Sequence, residues 1–396
     1  FIKLETFIGE NGDIMQKIFD LIDKDELLDI FSKAVAIPST NPKGNEKPMC
    51  EYVENLLKQN DIEYFTVPVE NDRYDIIAKI HGHSSEDSIV FTGHMDVVPV
   101  SDDEILRWET PPFIPTIKDG KLFGRGSADM KSGLISAIYS MILLKRHNIK
   151  PSRDVILAAT IDEENYMKGS KALQNNPIFE GAKYLIVCEP TDMKICNEQK
   201  GRTWADVCVH GMTAHGSQKG VGENAIYLAI KLIEKIKNTE FEKYPDTFWR
   251  TLAINAGVEP QVVPDRCTFT VDARLQVGHD PSNIWEKLED MIKQIKKENP
   301  HFDATYDIAD MRTSWHTSKE DKLIQDIEKS LQKLDILPIF ETFSGSTDAS
   351  MLIKNSLIPV IIGPGDLSVV HRENEYVELS QLYDSCRLYL DIMTSM

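Results

Sequence analysis

The chain has 396 residues, longer than one hydrophobic core usually grows, so one elaborated domain or two is the expectation. Lys and Arg total 44 against 63 Asp and Glu, a net charge of −19, which argues against nucleic acid or an anionic membrane as the main partner. No run approaches the roughly 18 apolar residues of a membrane span, and FIKLETFIGENGD lacks the order of a secretory signal, so a cytoplasmic protein is expected and residues 1–14 are given no function. In chain order, a helical stretch at 47–59 precedes DIIAKI (75–80) and SIVFTG (88–93), which read as buried strands. Residues 131–146 read as a helix, and VILAATI (155–161) and YLIVC (184–188) as strands, the spacing of βαβ units around a parallel sheet.

From residue 203 the rhythm changes. Ala205, Val207 and Val209 alternate as in a strand, and Ile226, Ala229, Ile230 and Ile233 follow the i, i+3, i+4, i+7 spacing of an amphipathic helix. TLAINAG (251–257) and CTFTVDARL (267–275) read as strands. Asp280-Pro281 caps a helix with Ile284, Leu288, Ile292 and Ile295 on one face, and DATYDIA (303–309) closes the set. The order β-α-β-β-α-β is the ferredoxin-like unit. A helix from about 319 to 334, strands at ILPIF (336–340) and IPVII (358–362), and a final helix from 379 resume the first pattern. The expected fold is therefore α/β: a mostly parallel, doubly wound domain (15–197 and 312–396) with an inserted ferredoxin-like domain (198–311). The six cysteines form no CxxC pair and read as reduced, structural thiols.

In an open α/β sheet, functional side chains gather beyond the carboxyl ends of the strands. There SIVFTG leads into His94-Met95-Asp96, VILAATI into Asp162-Glu163-Glu164, YLIVC into Glu189, and IPVII through GPGDLSVV to His371. GRGSADMKSG adds Asp129 just before a helix. Any one of these is more often a cap or a solvated charge. Their joint placement at the ends of separate strands points to a divalent cation such as zinc, held by imidazole and carboxylate, and two cations account for the number of acids better than one.

FTGHMDVVP, GRGSADMKSG, TIDEE, VCEPTD, HGMTAHGS, INAG, VPDRCTFTVDAR, SGSTDASM and GPGDLSVVHRENEYV occur in that order. In these stretches the chain resembles the dinuclear-zinc amidohydrolase and peptidase family that includes acetylornithine deacetylase, succinyl-diaminopimelate desuccinylase, aminoacylase and glutamate carboxypeptidase. The resemblance runs from about residue 25 to the end. It implies two Zn2+ per subunit, with Co2+ or Mn2+ suiting the same ligands: His94 and Glu189 on the first, Glu164 and His371 on the second, Asp129 bridging. Asp96 would fix the ring of His94 through its far nitrogen. Glu163 would be the general base, taking a proton from water and delivering it to the departing amine. His215 would donate to the developing oxyanion from the partner subunit of a homodimer. Arg274, with Asn255 nearby, would grip a substrate carboxylate, and the backbone N–H groups of Gly345 and Ser346 would complete that pocket.

Two departures stand out: Ser132 replaces the first glycine of DMKGG, and Gln261 stands where Asn is usual before VPD. The substrate implied is a small N-acyl amino acid or peptide with a free carboxylate. A deacylase of the deacetylase or desuccinylase type leads, a dipeptidase or carboxypeptidase is the alternative, and a non-catalytic binding protein on the same fold is a remote third.

Overall fold

The computed structural model describes residues 18–396, so residues 1–14, and 15–17 after them, lie outside the described residues. The chain falls into two compact units, one of 18–197, 317–343 and 347–396, the other of 198–316 with 344–346. The boundary expected at 311/312 falls inside a strand, Asp303–Arg312, because Arg312 is still paired with Arg202 in its sheet.

The sheet of the first unit runs, in spatial order, Glu63–Glu70, Arg73–Ile80, Arg153–Thr160, Ser84–His94, Ala182–Val187, Ile358–Ile361 and Ile195–Gln199. The four strands from Arg153–Thr160 to Ile358–Ile361 are parallel, and the flanking pairs are antiparallel. The sheet is thus mostly parallel at its centre. Strands there read as unbroken apolar runs because both faces are covered: Ile89, Val90 and Phe91 are buried, as are Val155 to Ala159. The strand Glu63–Glu70 was not anticipated, since Pro68 and its mostly exposed side chains suit only an edge. The strand expected at 336–340 instead spans Phe340–Phe343, because Pro338 has no N–H to give to a ladder.

Helix Ser132–Arg146 is buried along residues 132–144. It lies against the C-terminal helix Leu379–Ser395, where Ser136 and Ser140 donate to the carbonyls of Leu382 and Cys386. Parallel strands place their carboxyl ends on one side, so His94, the segment after Thr160, the segment after Val187 and the segment after Ile361 share one rim.

The second unit is a four-stranded antiparallel sheet in the order Phe248–Ala256, Arg266–Leu275, Gly201–His210, Asp303–Arg312. With helices Ala225–Lys237 and Ser282–Glu298 in sequence between the strands, this is the ferredoxin-like arrangement. Ala205, Val207, Val209, Cys267, Phe269, Val271, Ala273 and Leu275 form its core with both helices. One reading changes: Ala225–Lys237 buries Ala225, Leu228, Ala229, Leu232 and Ile236, not the stripe through Ile230. That helix is apolar on two faces, and Ile230 and Tyr227 are left exposed. All six cysteines are free thiols, five of them buried. Among the described residues no helix is long and apolar enough to cross a membrane.

Candidate metal centre

His94 is the last residue of its strand and is buried, with its ring turned into the rim. Its Nδ1 lies 2.9 Å from the main-chain oxygen of Asp96. A carbonyl only accepts, so in the neutral ring Nδ1 carries the proton and Nε2 offers its lone pair to the centre. The carboxylate of Asp96 stands 3.7 Å from Nδ1. The ring is therefore fixed by the carbonyl of Asp96, not by its side chain. That side chain instead accepts the main-chain N–H of Glu163 (3.2 Å) and of Glu164 (3.1 Å).

Asp129 lies between the two histidines. One oxygen is 3.1 Å from His94 Nε2 and the other 3.1 Å from His371 Nε2. His371 Nε2 is also 3.0 Å from Glu164, and His94 Nε2 is 3.6 Å from Glu189. Ligand atoms of His94, Asp129 and Glu164 lie within 4.8 Å of one another, as do those of His94, Glu163 and Glu189. All seven predicted residues of the first unit, Asp96 included, thus converge.

Their electrostatics suit cations. Burial pushes the Glu189 and Glu164 carboxyls up, and the charge of Asp129 pushes them further. Burial works against ionised Asp129 too, but His371 and His94 hold it far below the usual carboxylate range. Burial alone would lower His94, yet Asp129, Glu189 and Asp96 carry it well above its ordinary value. Two imidazoles with one shared and several unshared carboxylates form a donor set that fits two borderline divalent cations.

Several supports were not read from sequence. Glu375 accepts the main-chain N–H of Ala128 (3.0 Å) and Asp129 (3.1 Å), and Arg125 donates to it at 2.6 Å. The other arm of Arg125 reaches Glu104 at 2.5 Å. Arg125 and Glu375 are buried, and both sit inside matched motifs, the one signal that could have found them. Burial lowers the Lys131 ammonium to about 7, and its Nζ donates to the carbonyls of Ala34 and Ile37. Asp162, left without a role by sequence, has φ 66 and accepts the N–H groups of Tyr166 and Lys168 on one carboxylate oxygen.

The two departures fit the local backbone, though the buried hydroxyl of Ser132 has no hydrogen-bond partner among the described residues. A Cβ on Gly133 would lie 1.9 Å from the carbonyl oxygen of Cys188, beside Glu189, so the second glycine of the motif is sterically required, whereas position 132 holds a buried Ser. Gln261 keeps its turn through its carbonyl, which accepts from Gly216 N–H at 2.7 Å.

His215, Asn255, Arg274, Gly345 and Ser346 belong to the second unit. His215 is exposed, with Nδ1 against Ser217 Oγ at 2.8 Å. One expectation fails within the chain. Asn255 pairs with Thr268, whereas Arg274 pairs with Phe248, so the two are six residues, about 20 Å, apart along the strand. His215 follows the end of strand Gly201–His210, the end nearer Asn255 and opposite to Arg274.

The fold has close counterparts. An aminopeptidase PepT from Bacillus cereus has a TM-score of 0.77 at 22% identity, over 94% of this chain and 98% of that one. A dinuclear metal-binding peptidase from the M20 family of Bacillus subtilis has a TM-score of 0.71 at 13% identity, over 93% and 98%. In sequence, a probable succinyl-diaminopimelate desuccinylase of Staphylococcus epidermidis is 27% identical over 408 residues, covering 94% of this chain and 98% of that protein. Residues 90–395, which include every residue converging on the rim, match Peptidase family M20/M25/M40, and the chain belongs to that family of hydrolases.

Proposed function

We propose that this chain hydrolyses the amide bond of an N-acyl amino acid, as a two-metal deacylase of the desuccinylase or deacetylase type with Glu163 as general base. The observation that carries the reading is Asp129, whose two oxygens face two different imidazoles. His94 and Glu189 would hold one cation, Glu164 and His371 the other, and Asp129 both; zinc suits this donor set best. When bound, such cations supply a water whose pKa falls from about 15.7 towards about 7 and polarise the scissile carbonyl.

The chain's own residues do the rest. Glu163, buried and with its N–H held by Asp96, takes the proton and returns it to the leaving nitrogen, because the proton must leave water and arrive at the amine. His215 Nε2 donates to the oxyanion. His215 and Asn255 stand at one end of the sheet and Arg274 at the other, a separation along the strands that favours contributions from two copies to one substrate. A homodimer formed through the second unit, acting as lid and dimerisation domain, resolves this. Its interface would be the exposed apolar set Tyr227 (67%), Ile230 (42%), Leu252 (61%) and Ile254 (56%), on a helix and on the strand at the edge of the sheet. The first unit, with the doubly wound sheet, is the catalytic domain, and a cytoplasmic location suits its reduced thiols.

A diacid substrate is favoured by a charged row on one face of the second sheet. Arg274 is paired with Arg202, and Arg202 with Arg312, three guanidinium groups in one row. The next row offers two carboxylates, Asp272 and Asp310, beside Trp204. Arg202 and Arg274 each donate to Asp272 through Nε, at 2.7 and 2.8 Å. Like charges set opposite each other weaken a sheet, and the two carboxylates Asp272 and Asp310 balance only part of this row of three, so it favours an anionic substrate, with Gly345 and Ser346 as further N–H donors.

The test is a panel of succinyl-diaminopimelate, acetylornithine and simple dipeptides with zinc, cobalt or manganese. Hydrolysis of the succinylated compound that EDTA abolishes is expected, with Arg202→Met raising its KM most. Cleavage of dipeptides alone would transfer the reading to a dipeptidase; no hydrolysis with any metal would end it.

A further inference from the structure

The acidic turn Asp162-Glu163-Glu164 is held by carboxylates, and those carboxylates are themselves held from elsewhere in the chain. Asp96 accepts the N–H groups of Glu163 and Glu164, one on each oxygen. Asp162 occupies the left-handed region immediately before them and anchors the following loop. Asp96 and Asp162 are both fully buried. Two buried carboxylates in one small region repel unless something donates to both.

Asn41 does so. Its amide nitrogen lies 3.0 Å from Asp96 Oδ2 and 2.9 Å from Asp162 Oδ1, so each of its two N–H bonds has its own carboxylate. The backbone of Asn41 is fixed by a bond from its N–H to the carbonyl of Val97, and Val97 N–H bonds back to Ser39. Arg73 then neutralises the same Asp162 oxygen at 2.9 Å, while its guanidinium also engages Glu46 in a close two-armed pair. Gly44, at φ +67, lies against this guanidinium, where a Cβ would stand 3.2 Å from it. The result is a buried path Glu46–Arg73–Asp162–Asn41–Asp96 that ends on the main chain of Glu163 and Glu164.

We propose that Asn41 and Arg73 are positioning residues for the reaction. They fix the turn from which Glu163 meets water and Glu164 meets the metal, without touching substrate or cation. The inference rests on the role given to Glu163 above. Catalytic geometry tolerates displacements of only about 0.5 Å, and supporting residues of this kind are worth about 10–100-fold in activity or metal affinity. Asn41→Asp is isosteric but removes both donors and sets a third carboxylate beside two others. Asn41→Ser is small and neutral, and keeps a folded comparison if the first variant fails to fold. Arg73→Lys keeps the charge but cannot span Glu46 and Asp162 together.

The experiment measures kcat, KM and thermal midpoint for these three variants at saturating zinc, with Glu163→Gln in parallel. The expected result is a fall in kcat of about 10–100-fold in both Asn41 variants and about tenfold in Arg73→Lys, with KM within about threefold of the parent. A purely structural role would lower the thermal midpoint and leave kcat of the folded, metal-loaded enzyme within about threefold, and that result overturns the inference. If Glu163→Gln loses turnover while the Asn41 variants keep it, the positioning role fails and the assigned base stands. If Glu163→Gln keeps turnover, the assigned base fails, and this inference with it.

Discussion

The Nε2 atoms of His94 and His371 lie 3.1 Å from opposite oxygens of one carboxylate, Asp129. Nothing in a salt-bridge role requires that symmetry. A ligand shared between two cations would need it. Asp129→Ala is therefore expected to reduce bound metal from two ions to one or none per chain, measured by elemental analysis after dialysis, and to abolish turnover. Retention of both ions would remove Asp129 as the bridge.

The same pairs predict a proton signature. Burial works against a charged His371, but Asp129 and Glu164 push it up from 6.5 to about 11, and His94 also stands well above 6.5. A raised folded value means that the stability His371 gives the metal-free protein is fully present below pH 6.5 and is lost as pH rises towards 11. Cations must displace these protons, so metal uptake near pH 7.5 releases protons from both rings, at least about two per chain, and affinity rises with pH. Calorimetry in buffers of different ionisation enthalpy measures the number directly; no release would contradict the assignment of both rings as ligands.

Arg125 and Glu375 tie the backbone of Asp129 from inside the protein. Removing one partner of a buried ion pair leaves an uncompensated charge and costs about 3–5 kcal/mol. Arg125→Met should lower unfolding stability by that order in denaturant titrations. A loss below about 1 kcal/mol, the range of a surface pair, would show that solvent reaches the site.

How much was legible follows from range. His94, Glu163, Glu164, Glu189 and His371 could be placed because each follows an apolar run that ends at the rim, a local pattern, and Asp129 because it stands in a glycine-rich loop before a helix; their roles came from the resemblance. The partners Asn41, Arg73, Arg125 and Glu375 act across 55 to 250 residues, and although Arg125 and Glu375 sit inside matched motifs, nothing local in the sequence shows what any of the four pairs with. Asp96 does stand close to His94, but the resemblance does not tell its carbonyl from its carboxylate. Helix Ala225–Lys237 misled because it is apolar on two faces, so its buried stripe could not be picked from spacing alone. The resemblance implies Asn255 beside Arg274, but shared motifs do not say which end of a strand each residue occupies in one copy.

His215 tests the dimer. His215→Ala should keep its metal and lose turnover at least about a hundredfold, as removal of an oxyanion donor does. Mixing it with an inactive Glu163→Gln variant should restore up to about a quarter of parental activity by complementation, since one site of a mixed pair has both residues intact. No recovery on mixing would place His215 in its own chain's site.

The central claim is a division of labour between two neighbours, Glu163 and Glu164. Bound metal and turnover, measured together on Glu163→Gln and Glu164→Gln, test it most directly. The account predicts that Glu163→Gln holds two ions and loses about 10²–10⁴-fold in kcat, whereas Glu164→Gln loses an ion. Equal metal loss in both variants, or near-parental turnover in Glu163→Gln, would contradict it.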